Sequence, residues 1–201
     1  MSAKNSITTS DYLPWDTMLM LVRRLYRDGD YRMSLLVGCG AFFGLRISDL
    51  LTLNWRMLLM SGTFTVVEKK TSKRRTIKVN PLFKDHIAKC RKALGVSDDD
   101  ELCFINRFKE AYSVQYINRR LKAIKRRYSI KIEHFSSHSL RKTFGRKVVE
   151  SAGVNAEMAL IRLSEIYNHR DVATTRRYLG LRQAELLETY DLLETYDLLD
   201  F

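Results

Sequence analysis

Apolar residues along this chain recur mostly every three or four positions, a helical rather than a strand period. Met18, Leu19, Leu21, Val22 and Leu25 form a broad apolar face behind the helix-start pattern Pro14-Trp15-Asp16, and Gly29 closes it. Tyr31 to Phe43 is apolar almost all round and predicts a buried second helix ending at Gly44. Leu50, Leu51 and Leu53 then point inward from a short helix that opens at Arg46. The period changes to two at Thr63 to Val67 and at Thr76 to Val79, two β-rich segments around the run Glu68 to Arg75. That arrangement predicts a hairpin with a basic tip. Pro81 to Leu94 reads as a helix stopped by Gly95, Ser97 to Glu101 as an acidic loop, and Leu102 to Ile105 as a short apolar element. Ser113 caps a helix running through Tyr128, Ser136 or Ser137 caps the next, and Asn155 to Asn168 is amphipathic and delivers His169 at its end. The pattern predicts a mainly α protein with one small β-hairpin, an α+β class.

Charge narrows the partners. The formal net charge is +12, and it is uneven: residues 1–180 carry +17 and the remainder −5. A body that basic points to a polyanion, nucleic acid ahead of a membrane surface, because no lipid-binding amphipathic stretch stands out. Cys39, Cys90 and Cys103 are odd in number and widely spaced, which argues against a disulfide framework or a CxxC metal site. The first ten residues lack a signal-peptide core, and no apolar run reaches membrane-spanning length. The expectation is a soluble, cytoplasmic, nucleoid-associated protein.

Five stretches hold candidate chemistry. Arg46 follows Gly44-Leu45 at a helix start, with Asp49 placed to brace it by an i,i+3 pair. Lys69, Lys70, Lys73, Arg74 and Arg75 crowd the hairpin tip; such a run is commonly just solvated, but it also suits a DNA backbone. Arg119, Arg120, Lys122, Lys125, Arg126 and Arg127 make one helix densely basic, again fit for phosphates. His138 and Arg141 lie three apart on one helical face, beside Lys142. Finally His169 precedes Arg176, Arg177 and Tyr178; a phenol is a poor nucleophile at neutral pH unless cations or a base activate it. Each of these alone has a bland structural explanation.

In order, the boxes resemble those of the catalytic domain of tyrosine site-specific recombinases, the phage integrase family. Gly44-Leu45-Arg46-Ile47-Ser48-Asp49 is similar to the first arginine box, and Lys70-Thr71 to the hairpin lysine. His138-Ser139-Leu140-Arg141 is similar to the HxxR box, and His169 with Tyr178 nine residues on to the last box. The resemblance covers about Tyr12 to Gly180. It departs at Asn168, where the family usually has Gly, and in a long interval from Arg141 to His169.

The resemblance implies the family's catalytic-domain fold and a reaction in which Tyr178 attacks a DNA phosphodiester to give a 3′-phosphotyrosyl link. Arg46 and Arg141 would clamp the nonbridging oxygens, His138 and His169 would add hydrogen bonds, and Asp49 would orient the cluster. Lys70 would protonate the departing 5′-oxygen, with His138 aiding removal of the phenolic proton. Lys69, Lys73, Arg74, Arg75, Arg119, Arg120, Lys125 and Lys142 are the candidate DNA contacts. No metal, ATP or other cofactor is expected, since the arginines supply the electrostatics.

Two alternatives stand beside recombination by integration, excision or inversion: DNA relaxation of the type IB topoisomerase kind, and a non-catalytic DNA-binding regulator. The expected layout is a catalytic domain over residues 1–180, without the separate DNA-clamping domain most members carry ahead of it, and an acidic helical tail over 181–201. The tail repeats Leu-Leu-Glu-Thr-Tyr-Asp from Leu186 and from Leu192, and it is the candidate surface for self-association as a tetramer on double-stranded DNA.

Overall fold

Pro14, which has no N–H to leave unsatisfied, precedes α1 (Trp15–Arg27); Asp16 in its first turn and Arg24 and Arg27 in its last complement the helix dipole. Met18, Leu21 and Leu25 are buried against α2 (Tyr31–Phe43), where even Ser34 is buried and donates to the Val22 carbonyl at 2.7 Å. The computed structural model describes residues 10–60 and 62–181 of the chain, so the tail expectations lie outside the described residues. These form two compact units, one ending at Phe144 and the other beginning at Gly145.

In the first unit α2 stops at Gly44, whose left-handed φ of 57° is the usual way to terminate a helix. The position also admits no side chain, because a Cβ there would overlap the Phe144 ring. Gly44→Ala should therefore destabilise the protein by about 2–4 kcal/mol, adding left-handed strain to overpacking, as read from urea unfolding. Beyond it come α3 (Ile47–Leu50) and α4 (Trp55–Leu59), with Leu50, Leu53, Trp55 and Leu58 in the core.

The strands β1 (Thr63–Val67) and β2 (Arg74–Lys78) pair antiparallel, from Thr63 opposite Lys78 to Val67 opposite Arg74. β2 thus begins two residues before the β-rich stretch the sequence pattern marks, and Arg74 and Arg75 belong to the strand rather than the tip. Alternation then puts Arg75 on the face of Ile77 and sends Arg74 outward.

Helix α5 (Pro81–Ala93) is capped by Asn80, and α6 (Val114–Arg127) by Ser113, whose Oγ accepts from Tyr116 N at 3.1 Å. The apolar element around Cys103 is an isolated bridge: Cys103 N donates to the Leu53 carbonyl at 2.8 Å. Helix α7 (Ser137–Ala152) opens with Ser136 Oγ accepting from His138 N at 3.2 Å.

The second unit continues through a 3-10 turn (Gly153–Asn155), α8 (Ala156–Tyr167) and α9 (Val172–Leu179). Its α9 is capped by Asp171, which accepts from both the N–H and the hydroxyl of Thr174 at 2.6 Å. Among the described residues, no helix is long and apolar enough to cross a membrane.

Candidate active site

The first unit holds Arg46, Asp49, Lys70, His138 and Arg141. Arg46 stands at the entry to α3 and donates through Nη1 to Glu68 Oε2 at 2.6 Å. The brace expected from Asp49 is absent in that form. Asp49 Oδ1 instead accepts from Lys69 N at 2.9 Å, fixing the hairpin turn. A short helix turns Asp49 inward, where it is fully buried, while Arg46 reaches across to the hairpin.

Glu68 is the functional candidate that sequence reasoning passed over as part of a charge run. Its signal was present: Phe64, Val66 and Glu68 alternate, so the period of two that buries the first two also buries the third. Burial opposes its ionisation, but Thr71, Arg46 and Arg141 prevail and hold the carboxyl below its ordinary pKa. Arg75 lies 3.9 Å away.

Arg141, 4% exposed, donates to the Gly44 carbonyl at 2.5 Å. Arg75 donates to the carbonyls of Gly44 at 3.3 Å and Phe43 at 2.5 Å. Two guanidiniums thus meet the negative end of α2, a placement the helix dipole favours. Arg75, expected as a DNA contact, is turned inward here.

His138 lies on the exposed side of the first turn of α7. Partial desolvation, then the charges of Arg141 and Lys142, lower its pKa below the ordinary histidine value. It is consequently neutral at neutral pH and able to accept a proton. If it does so in the reaction, cleavage rates should hold as pH falls past about 6.5 and drop only on further acidification. A single-turnover pH profile whose acid limb sits above 6.5 would exclude that role.

The remaining basic candidates divide in two. Lys69, Lys70, Lys73 and Arg74 are exposed on the hairpin, and Arg119, Lys122 and Arg126 form an exposed stripe along α6. Arg120 pairs with Asp30, Lys125 donates to the Glu133 carbonyl at 2.7 Å, and Lys142 to that of Ser10 at 2.6 Å.

The second unit holds His169 and Tyr178. Asn168 ends α8 with φ 53° and ψ 48°, the left-handed conformation that Gly and Asn accept most readily. The departure from Gly at this position therefore keeps the backbone shape that releases His169 from the helix. His169 N then donates to the Ser164 carbonyl at 3.0 Å, and its Nδ1 shares a hydrogen bond of 3.0 Å with Thr175 Oγ1. Thr175 is fully buried and fixes the imidazole; nothing in the sequence pattern marked it.

The Tyr178 ring meets His169 edge to face at 5.3 Å and Tyr167 at 5.6 Å. Arg176, a candidate for the field around Tyr178, is paired with Glu157 of α8, while Arg177 is exposed.

Residues 24–185 match the family described as Phage integrase family. The chain belongs to that family. It is 30% identical over 148 residues to tyrosine recombinase XerC of Xanthomonas axonopodis pv. citri (strain 306), covering 74% of this chain and 46% of that protein. It is also 30% identical over 167 residues to XerC of Alcanivorax borkumensis (strain ATCC 700651 / DSM 11573 / NCIMB 13689 / SK2), with 79% and 50% covered. The chain thus spans about half the length of the curated relatives it matches.

Among solved structures, XerA recombinase gives a TM-score of 0.68 at 22% identity, covering 92% of this chain and 65% of that one. XerH site-specific recombinase, in a post-cleavage complex with a palindromic difH substrate, gives 0.67 at 20%, with 96% and 57% covered. The lambda integrase catalytic core gives 0.59 at 19%, with 80% and 93% covered. The fold is that of tyrosine recombinase catalytic domains.

Proposed function

We propose that this chain cuts and rejoins double-stranded DNA by site-specific strand exchange, with Tyr178 as nucleophile. The observation that carries the reading is the first unit's cluster: Arg46 and Arg141, both held by the protein rather than left as loose surface cations, with His138 one turn before Arg141 on α7. Preorganised donors of this kind act on charge that appears in the transition state, and removing one typically costs about 10²–10³-fold in rate. Membership of the phage integrase family, and relatives named as recombinases, support the same chemistry.

In the proposed step the Tyr178 oxygen bonds phosphorus as the bond to the 5′-bridging oxygen breaks. Lys70 gives that oxygen a proton, and a neutral base, for which His138 is the candidate, takes the phenolic one. The 3′-phosphotyrosyl link conserves the bond energy for rejoining. Two arginines stabilise the added charge on the nonbridging oxygens.

The exposed cations of the hairpin and α6 would track the phosphate backbone, so affinity should fall steeply with salt. Assembly of several protomers on DNA through residues 181–201, and residence with the nucleoid, complete the proposal. The deciding experiment is a suicide substrate nicked next to the cleavage site. Covalent capture of the chain on its 3′-phosphate end is the expected result; none under conditions where the DNA is bound would leave only the regulator reading. Cleavage confined to paired specific sites would separate recombination from topoisomerase-like relaxation.

A further inference from the structure

The turn that carries Lys70 is fastened on both sides, and one of its two anchors, Glu68, also holds Arg46. On the near side, Lys69 N donates to Asp49 Oδ1 at 2.9 Å. On the far side, a single oxygen, Glu68 Oε2, accepts from Arg46 Nη1 at 2.6 Å and from Thr71 Oγ1 at 3.0 Å. The backbone closes the same loop: the Glu68 carbonyl accepts from Thr71 N at 3.3 Å and Ser72 N at 2.8 Å, and Ser72 takes a left-handed φ of 57°. Lys70 is the one residue between the two anchored neighbours, and it is exposed.

A carboxylate is seldom buried unless it is paired, yet Glu68 is 4% exposed. Its position is explained by what it joins. One oxygen bridges the guanidinium of the arginine box and the hydroxyl next to the hairpin lysine, so neither can shift without the other. Fixing the turn matters for a lysine that must reach a leaving oxygen, because a misplacement of about 1 Å can cost on the order of 10²-fold.

We propose that Glu68 and Thr71 are positioning residues that set Lys70 in register with Arg46, so that the phosphate clamp and the proton donor to the 5′-oxygen are aligned through one carboxylate oxygen. This rests on the strand-exchange reading above. Thr71 acts on the lysine side of the bridge, and Glu68 acts on both sides.

The test uses single-turnover cleavage of two suicide substrates by the full chain, one with the natural 5′-bridging oxygen and one with sulfur there. A thiolate leaves without a proton, so the sulfur substrate has no need of Lys70. Thr71→Val removes the hydroxyl and leaves the Arg46–Glu68 pair in place. It should slow the oxygen substrate about tenfold and leave the sulfur substrate at the wild-type rate. Thr71→Ser should restore the oxygen substrate, and Thr71→Ala should repeat the split seen with valine. Glu68→Ala should slow both substrates, the oxygen one more, because it loosens Arg46 as well. In a Lys70→Ala background, Thr71→Val should add nothing.

Equal slowing of both substrates by Thr71→Val and Thr71→Ala, or no slowing of either, overturns the assignment. Wild-type protein that forms no adduct with either substrate defeats the strand-exchange reading itself, which is a separate outcome.

Discussion

Tyr178→Phe should abolish covalent capture on a nicked DNA substrate while leaving DNA binding unchanged. Phenylalanine keeps the edge-to-face contacts of the ring with His169 and Tyr167, so α9 and the imidazole should hold their places. Only the oxygen is lost. Removing the nucleophile of a covalent enzyme commonly costs on the order of 10⁴-fold or more, which here means adduct at background. Tyr167 is the near competitor, and the structure speaks against it. Its side chain is fully buried, and its hydroxyl sits over Gly145, 2.6 Å from where a Cβ on that residue would be. Tyr167→Phe should therefore keep adduct formation. Denaturing gel electrophoresis of protein with labelled suicide substrate reads both variants. Adduct from Tyr178→Phe, at any rate comparable to wild type, would give the role to another tyrosine.

Arg46→Ala and Arg141→Ala should each lower the cleavage rate at saturating DNA by about 10²–10³-fold, with a much smaller change in affinity. Binding draws on many phosphate contacts, whereas the two guanidiniums are proposed to act mainly on charge that develops at one phosphorus. The two variants should differ in stability. Arg46→Ala removes the 2.6 Å partner of buried Glu68, and a buried acceptor that loses its donor costs about 1–3 kcal/mol. Thr71 and Arg75 remain near Glu68 and should keep that cost toward the low end. Arg141→Ala vacates one bond at the Gly44 carbonyl, which Arg75 also reaches. Measuring rate and affinity together below each variant's melting temperature separates catalysis from folding. Equal losses in binding and cleavage would reduce the arginines to DNA anchors.

Much of this protein was legible in its sequence because the informative signals are local. Helix starts and stops depend on a few adjacent residues: Ser113 caps α6, Gly44 ends α2, and Pro14 and Gly29 flank α1. A period of two marked the hairpin. The reactive residue types and their spacing were likewise visible, and they carried the resemblance to the family.

What escaped the sequence was which charged groups meet, because an ion pair depends on distance across the fold and not on spacing along the chain. Asp49 looked like the partner of Arg46 from an i,i+3 rule, but α3 turns its carboxylate toward Lys69 N, and the guanidinium finds Glu68 on the hairpin. Arg75 read as a DNA contact at the hairpin tip, yet strand alternation carries it onto the carbonyls that end α2. Arg120 and Arg176 were likewise claimed by Asp30 and Glu157, 90 and 19 residues away. Asn168 looked like a departure from the family until its left-handed backbone showed that it does the work of the glycine. The sequence by itself thus determined most of the elements and the candidates for reactive groups. The tertiary structure decided the partners of the buried ones, since only there does burial force charges such as Glu68 and Arg141 to find one.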